Sequence, residues 1–173
     1  KNCTLERGRA VGTILNDDLA LYLAAGSRRQ RAAETLKADQ LAAVTDEAIR
    51  RWTLAVGEAA ASSLSTVQWE LADLPGTQLG VASGHTVRID RNAAGRGWFV
   101  DASPWDDEEF LESLATGDLR ARPDGPAAER VDLLTAVIHE LGHVLGLADG
   151  FGPADSDGLM SGSLDLGQRR LPG

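Results

Sequence analysis

Two histidines and a glutamate stand together in His139-Glu140-Leu141-Gly142-His143. The chain has only 3 histidines, and two of them fall four residues apart. On a helix such residues share a face, about 5–6 Å apart at Cβ, so both imidazoles can reach one ion. Glu140 leans beside that ion rather than into its coordination shell. This is the arrangement of a zinc peptidase, in which the carboxylate is general base toward a water on the metal. The plainer reading is a polar stripe on an amphipathic helix.

A catalytic zinc takes three protein ligands and keeps a fourth position open. The string continues Val144-Leu145-Gly146-Leu147-Ala148-Asp149. Gly146 can adopt the left-handed conformation that ends a helix and reverses the chain, and Asp149 is then placed to reach back to the ion. No His or Glu follows His143, so a downstream ligand must be an aspartate. Asp149 has the spacing. Asp155, Asp157 and Asp165 are the fallbacks, together with His85.

These residues need elements to hold them. The pattern predicts an active-site helix over 130–145, with Leu134, Val137, Ile138, Leu141, Val144 and Leu145 on its apolar side. A second packing helix is expected over 39–60. Its stripe is Leu41, Val44, Ala48, Trp52, Ala55 and Ala59, and Asp39 is its N-cap. Between them the period changes to two. Strands are expected around Val67-Trp69-Leu71, Leu79–Ala82, Val87-Ile89 and Trp98–Val100, separated by Gly-bearing turns. The expected class is α+β, a small twisted mixed sheet with two helices. A peptide substrate would pair with an exposed edge strand at 77–82.

Elsewhere the reading is plainer. Asp106-Asp107-Glu108-Glu109 reads as solvated loop, with a short helix near 110–114. Its carboxylates are the hard ligands Ca2+ takes, although EF-hand spacing is absent. The segment 148–173 reads as loop with at most a short closing helix. The clusters at 28–31 and Arg169-Arg170 read as solvated surface. Residues 1–37 read as linker, pro-segment or part of the fold, with the catalytic domain over 38–173.

Composition narrows the function classes. At 173 residues the chain is one domain's length. Lys and Arg total 17 against 26 Asp and Glu, a net charge of −9, which excludes a general nucleic-acid binder. No apolar run reaches the roughly 20 residues of a membrane span. The single cysteine, Cys3, excludes an internal disulfide and a cysteine-rich zinc site. The start at Lys1, with no apolar leader core after it, suggests a mature form or a piece of a longer, multidomain chain.

The string HELGHVLGLAD resembles the long zinc motif of the metzincin metalloendopeptidases, with Asp149 where most members carry a third histidine, as in snapalysin-like enzymes. The only methionine, Met160, stands in Asp157-Gly158-Leu159-Met160-Ser161, where metzincins place a tight turn with a methionine beneath the metal. DLPGTQLG, HTVRID, NAAGRGWFVD and LMSGSLDLGQRRLPG are similar to matrixin-like domains of large secreted bacterial repeat proteins. The resemblance covers 39–173. It implies a zincin fold, a zinc-dependent endopeptidase acting on protein or peptide, and a secreted, extracellular setting. No tyrosine follows Met160, so the fifth-ligand tyrosine of some relatives is absent. The context of Cys3 does not match the matrixin latency motif. The alternative is a non-catalytic zinc-binding module of a secreted surface or adhesion protein. Retention of Glu140 speaks for catalysis, because a purely structural site gains nothing from a base beside an open position.

Overall fold

The computed structural model describes residues 20–25, 33–112, 117–150 and 158–173. Among these the chain is α+β, with three helices and a mixed five-stranded sheet accompanied by two smaller sheets. Arg28, Arg29, Arg31 and Cys3 lie outside the described residues.

The expected first helix forms as α1 (Ala38–Val56). Leu41, Val44, Ala48 and Trp52 are buried along it, and the Trp52 indole donates to the Ile138 carbonyl at 2.9 Å. Its cap differs from expectation: the Lys37 amide donates to the Gln40 side chain, and Asp39 lies inside the first turn. Gly57, at φ +96°, then breaks the helix and starts α2 (Glu58–Leu64). The break rotates the apolar stripe. Ala55 and Ala59 are exposed, while Ala60 and Leu64 take the buried positions.

The three middle strands form where the alternation puts them, as β2 (Gln68–Ala72), β3 (Gln78–Ser83) and β4 (Thr86–Asp90). Strands β3 and β4 are an antiparallel hairpin turned at Gly84 (φ +60°), and β2 runs parallel to β4. The expected edge is not an edge. A strand from the N-terminal segment, β1 (Ala20–Leu23), pairs antiparallel with β3, and β9 (Ser163–Leu164) pairs parallel with β1. The order is β2-β4-β3-β1-β9, so β3 is interior and the sheet draws on residues ahead of 38. Leu36, also ahead of 38, is buried and its amide donates to the Arg91 carbonyl.

The fourth predicted strand, β5 (Trp98–Phe99), leaves the main sheet and pairs with β8 (Val131–Asp132). The expected short helix near 110 is instead β6 (Phe110–Glu112), which pairs with β7 (Asp118–Ala121); β7 also pairs with β10 (Gln168–Arg170). Among the described residues the tail thus closes the fold with strands β9 and β10, in place of the expected loop with at most a short helix.

Strand β10 overturns the surface reading of Arg169-Arg170, since both are buried. Arg169 lies in a nest of carboxylates. It reaches both oxygens of Asp132 at 2.9 and 3.1 Å, Asp101 at 2.8 Å and Asp107 at 2.9 Å, with its guanidinium 4.2 Å above the centre of the Phe110 ring. Burial alone would weaken its hold on the proton, but the Asp132 charge and the bonds to Asp132, Asp101 and Asp107 outweigh it and keep it charged. The acidic stretch at 106–109 is therefore partly answered by arginine: Asp107 also meets Arg51 at 3.1 Å. Among the described residues it contributes to no group able to hold an ion.

Arg169→Ala is expected to cost about 3–5 kcal/mol of stability, because the buried Asp101 and Asp132 would lose their cation. Arg169→Lys should recover little of it, since one ammonium cannot bridge three carboxylates as a planar fork does. Urea denaturation of the three proteins checks this.

On α1, Glu47 accepts from both Arg50 and Arg51 at 2.6 Å. Burial would raise its pKa, but the two arginines outweigh it and hold the carboxyl below its usual value. A depressed carboxylate stabilises the fold above its unfolded pKa, and that contribution fades as pH falls through the folded one. Arg50 is half exposed, so Glu47→Gln should lower stability by only about 1 kcal/mol at neutral pH. The gap should close below the ordinary glutamate range, as read by urea midpoints across a pH series.

Candidate metal centre

Helix α3 (Leu133–Val144) presents the two histidines. Asp132 caps it, accepting from the Thr135 amide at 3.0 Å and the Thr135 hydroxyl at 2.7 Å. Because Arg169 grips the same carboxylate, strand β10 is tied to the start of the helix. The helix is apolar nearly all round, and every residue from Leu133 to His143 is buried. Its far end closes as the sequence suggests. Gly146 stands at φ +90°, its amide donates to the His143 carbonyl at 2.9 Å, and the Leu147 amide donates to the Gly142 carbonyl at 3.0 Å. That pair of bonds is the Schellman closure, which needs a left-handed residue at this point.

The turn brings Asp149 back over the helix. Asp149 Oδ1 lies 3.2 Å from His139 Nε2 and 3.4 Å from His143 Nε2, and the two Nε2 atoms are 3.0 Å apart. The opposite ring nitrogens are engaged: His139 Nδ1 is 3.0 Å from the Leu159 carbonyl oxygen and His143 Nδ1 is 2.9 Å from that of Leu147. A carbonyl only accepts, so each Nδ1 carries the hydrogen, and in the neutral form of each ring the Nε2 lone pair is turned toward Asp149. Burial lowers the pKa of His143 and favours that neutral state. Asp149 Oδ1 is itself buried with no hydrogen-bond partner.

Three lone-pair atoms thus converge with no donor among them, an arrangement that a cation resolves. The spacing fits one. Ligands about 2.0–2.1 Å from a tetrahedral zinc lie roughly 3.3 Å from one another, close to the three distances here. The backbone carbonyls behind the imidazoles are the outer partners that fix tautomer and orientation in metal sites. His139, His143 and Asp149 are the one group among the described residues able to hold a metal ion. Of the fallbacks, His85 is exposed at the β3–β4 turn. Asp165 is mostly exposed and 3.6 Å from Arg120. Asp155 and Asp157 lie outside the described residues.

Met160 lies under the helix. A Cβ on Gly142 would sit 2.5 Å from Met160 Sδ, so glycine makes room for the thioether against the helix. The Met160 segment is joined to the Asp149 turn through the Gly150 amide, which donates to the Met160 carbonyl at 2.8 Å.

Glu140 is fully buried on the sheet side of α3. Its Oε1 accepts from the Leu21 amide at 3.3 Å, and its Oε2 is buried without a partner. Burial first, and the Asp149 charge with it, push its pKa well above the usual carboxylate range, while the Leu21 and Ala82 amides pull the other way. Two residues of this environment escape a sequence reading. Gly80 lets β3 lie against Glu140, since a Cβ there would come within 2.6 Å of Glu140 Oε1. A lone glycine inside a strand pattern is the available signal for such a close approach. Leu21 carries no signal, because its role is a backbone amide supplied across 119 residues.

No described helix is long and apolar enough to cross a membrane. Compared with protein-family models, with curated proteins and with solved structures, the chain matches none of them.

Proposed function

We propose that the chain is a zinc-dependent endopeptidase of the metzincin kind. The observation that carries this reading is the convergence of two imidazole Nε2 atoms and one donorless carboxylate oxygen at tetrahedral spacing, with Glu140 next to the first of them. Two histidines and a carboxylate are a donor set of catalytic zinc sites, and three protein ligands leave a position for water or substrate. When bound, zinc supplies Lewis acidity: it polarises the scissile carbonyl and makes water a nucleophile near neutral pH.

The remaining work falls to the chain. His139, His143 and Asp149 hold the ion, and the Leu159 and Leu147 carbonyls keep the imidazoles aimed at it. Glu140 takes a proton from the attacking water and hands it to the leaving nitrogen as the C–N bond breaks. Gly80 and Gly142 keep Glu140 and Met160 in position by leaving room for them.

One observation favours a second reading, a metal-holding module without catalysis: Glu140 has no surface open to solvent. One experiment separates the two. The purified chain should hold one equivalent of zinc by elemental analysis and cleave members of a peptide library. Chelation should stop cleavage and added zinc should restore it. Zinc without cleavage would support the module, and no zinc would sink both.

A further inference from the structure

Glu140 and His139 have no exposed surface, and His143 is 8% exposed. A base that must meet a water and a peptide cannot act while sealed, so part of its cover has to leave. On the sheet side that cover is β3, which lies against the carboxylate at Gly80, together with β1, whose Leu21 amide sits on Glu140 Oε1.

Strand β1 is inserted between two edges. On one side Ala20 faces Val81 and Leu21 faces Gly80 of β3; on the other Tyr22 faces Ser163 and Leu23 faces Leu164 of β9. The Tyr22 amide donates to the Gly162 carbonyl at 2.9 Å, Leu23 to Thr77 at 2.8 Å and Ala24 to Leu164 at 3.0 Å. The β2-β4-β3 part of the sheet pairs without it. Lifting β1 away would leave a gap one strand wide with hydrogen-bonding edges on both sides, running past Glu140. Such a gap receives an extended peptide by strand addition.

We propose that this gap is the substrate groove of the peptidase reading, on which the inference rests, and that β1 is its intramolecular occupant. The occupant also reports what the groove accepts. Leu21 is 0% exposed, Tyr22 45% and Leu23 7%, so aliphatic side chains are taken at alternate positions and the one between faces solvent. The nitrogen against Glu140 is that of Leu21. In peptide hydrolysis the nitrogen that gains a proton belongs to the residue after the cut. A substrate lying as β1 lies is therefore cut before a leucine-like residue. Water adds to the preceding carbonyl carbon and the C–N bond breaks. One water proton travels through Glu140 to the nitrogen and the other follows from the new acid, leaving a carboxylate and an ammonium group.

The test uses the full zinc-loaded chain and a fluorescent peptide of residues 17–25, DDLALYLAA. Leu21→Pro removes the amide donor and disrupts the strand in the chain, but not in the peptide. By anisotropy in a Glu140→Gln background, where the probe is bound without being cut, the Leu21→Pro chain should bind the peptide at least tenfold more tightly than the chain with Leu21, and a peptide with both outer leucines of LYL changed to Asp should lose the gain. Equal affinity in parent and variant would overturn the inference. Hydrogen exchange on the parent needs no variant. The amides of Tyr22, Leu23 and Ala24 should exchange at least tenfold faster than those of the β3–β4 ladder, because β1 lifts while the sheet stays. Exchange at the same rate would make β1 an integral strand and overturn the inference. Tighter binding without cleavage keeps the groove and rejects only the peptidase chemistry. Equal cleavage of other peptides by parent and variant, with no gain in binding, rejects the groove and keeps the peptidase.

Discussion

Asp149→Ala is expected to weaken zinc binding on the order of a thousandfold, with the fold retained. Structural zinc sites of four ligands are worth about 10–16 kcal/mol, so the loss of one ligand in three removes several kcal/mol, and each 1.4 kcal/mol is tenfold. The choice of Asp149 rests on its Oδ1 being buried without a donor within 3.4 Å of both histidine Nε2 atoms. Asp165→Ala is the matched control, since that carboxylate faces Arg120 and solvent, and Asp155→Ala and Asp157→Ala should likewise keep the metal. Competition against a zinc indicator measures all four. Full zinc affinity in Asp149→Ala would remove it from the site.

Glu140→Gln is expected to cut peptide hydrolysis by about 10²–10⁴-fold, the range for a positioned acid–base, while zinc content and stability stay near those of the parent. An amide of the same shape can neither take nor return the proton. It keeps a carbonyl oxygen for the Leu21 amide that now bonds Oε1, so β1 docks as before. The informative readout is the pairing of kcat with zinc stoichiometry. Loss of both together would mean that Glu140 holds the site rather than works in it. Turnover within tenfold of the parent would mean that it is not the base.

The parts of this site that are local in the chain are legible as sequence. The His139–His143 spacing is one helical turn, so a helix suffices to align the imidazoles. Gly146 closes that helix because only a left-handed residue completes its terminal bonds, and the short run from there to Asp149 leaves the carboxylate few other places to go. The three middle strands follow from alternation of Val, Leu and Ile about Gly-bearing turns. What misled the reading is non-local. Arg169-Arg170 has the composition of a solvated patch, and only the meeting of β5, β8 and β10 surrounds Arg169 with Asp101, Asp107 and Asp132. A stripe at helical spacing ran through Gly57 because periodicity does not register one residue at positive φ. The segment 77–82 has the look of an edge strand, and it becomes interior because β1, more than fifty residues earlier, pairs with it. Backbone hydrogen bonds are common to every residue type, so pairing partners leave no mark in composition. Residue types and local spacing thus determined which atoms could hold a metal and act as base. Tertiary structure alone decided that Glu140 is covered, and that a strand of the same chain helps to cover it.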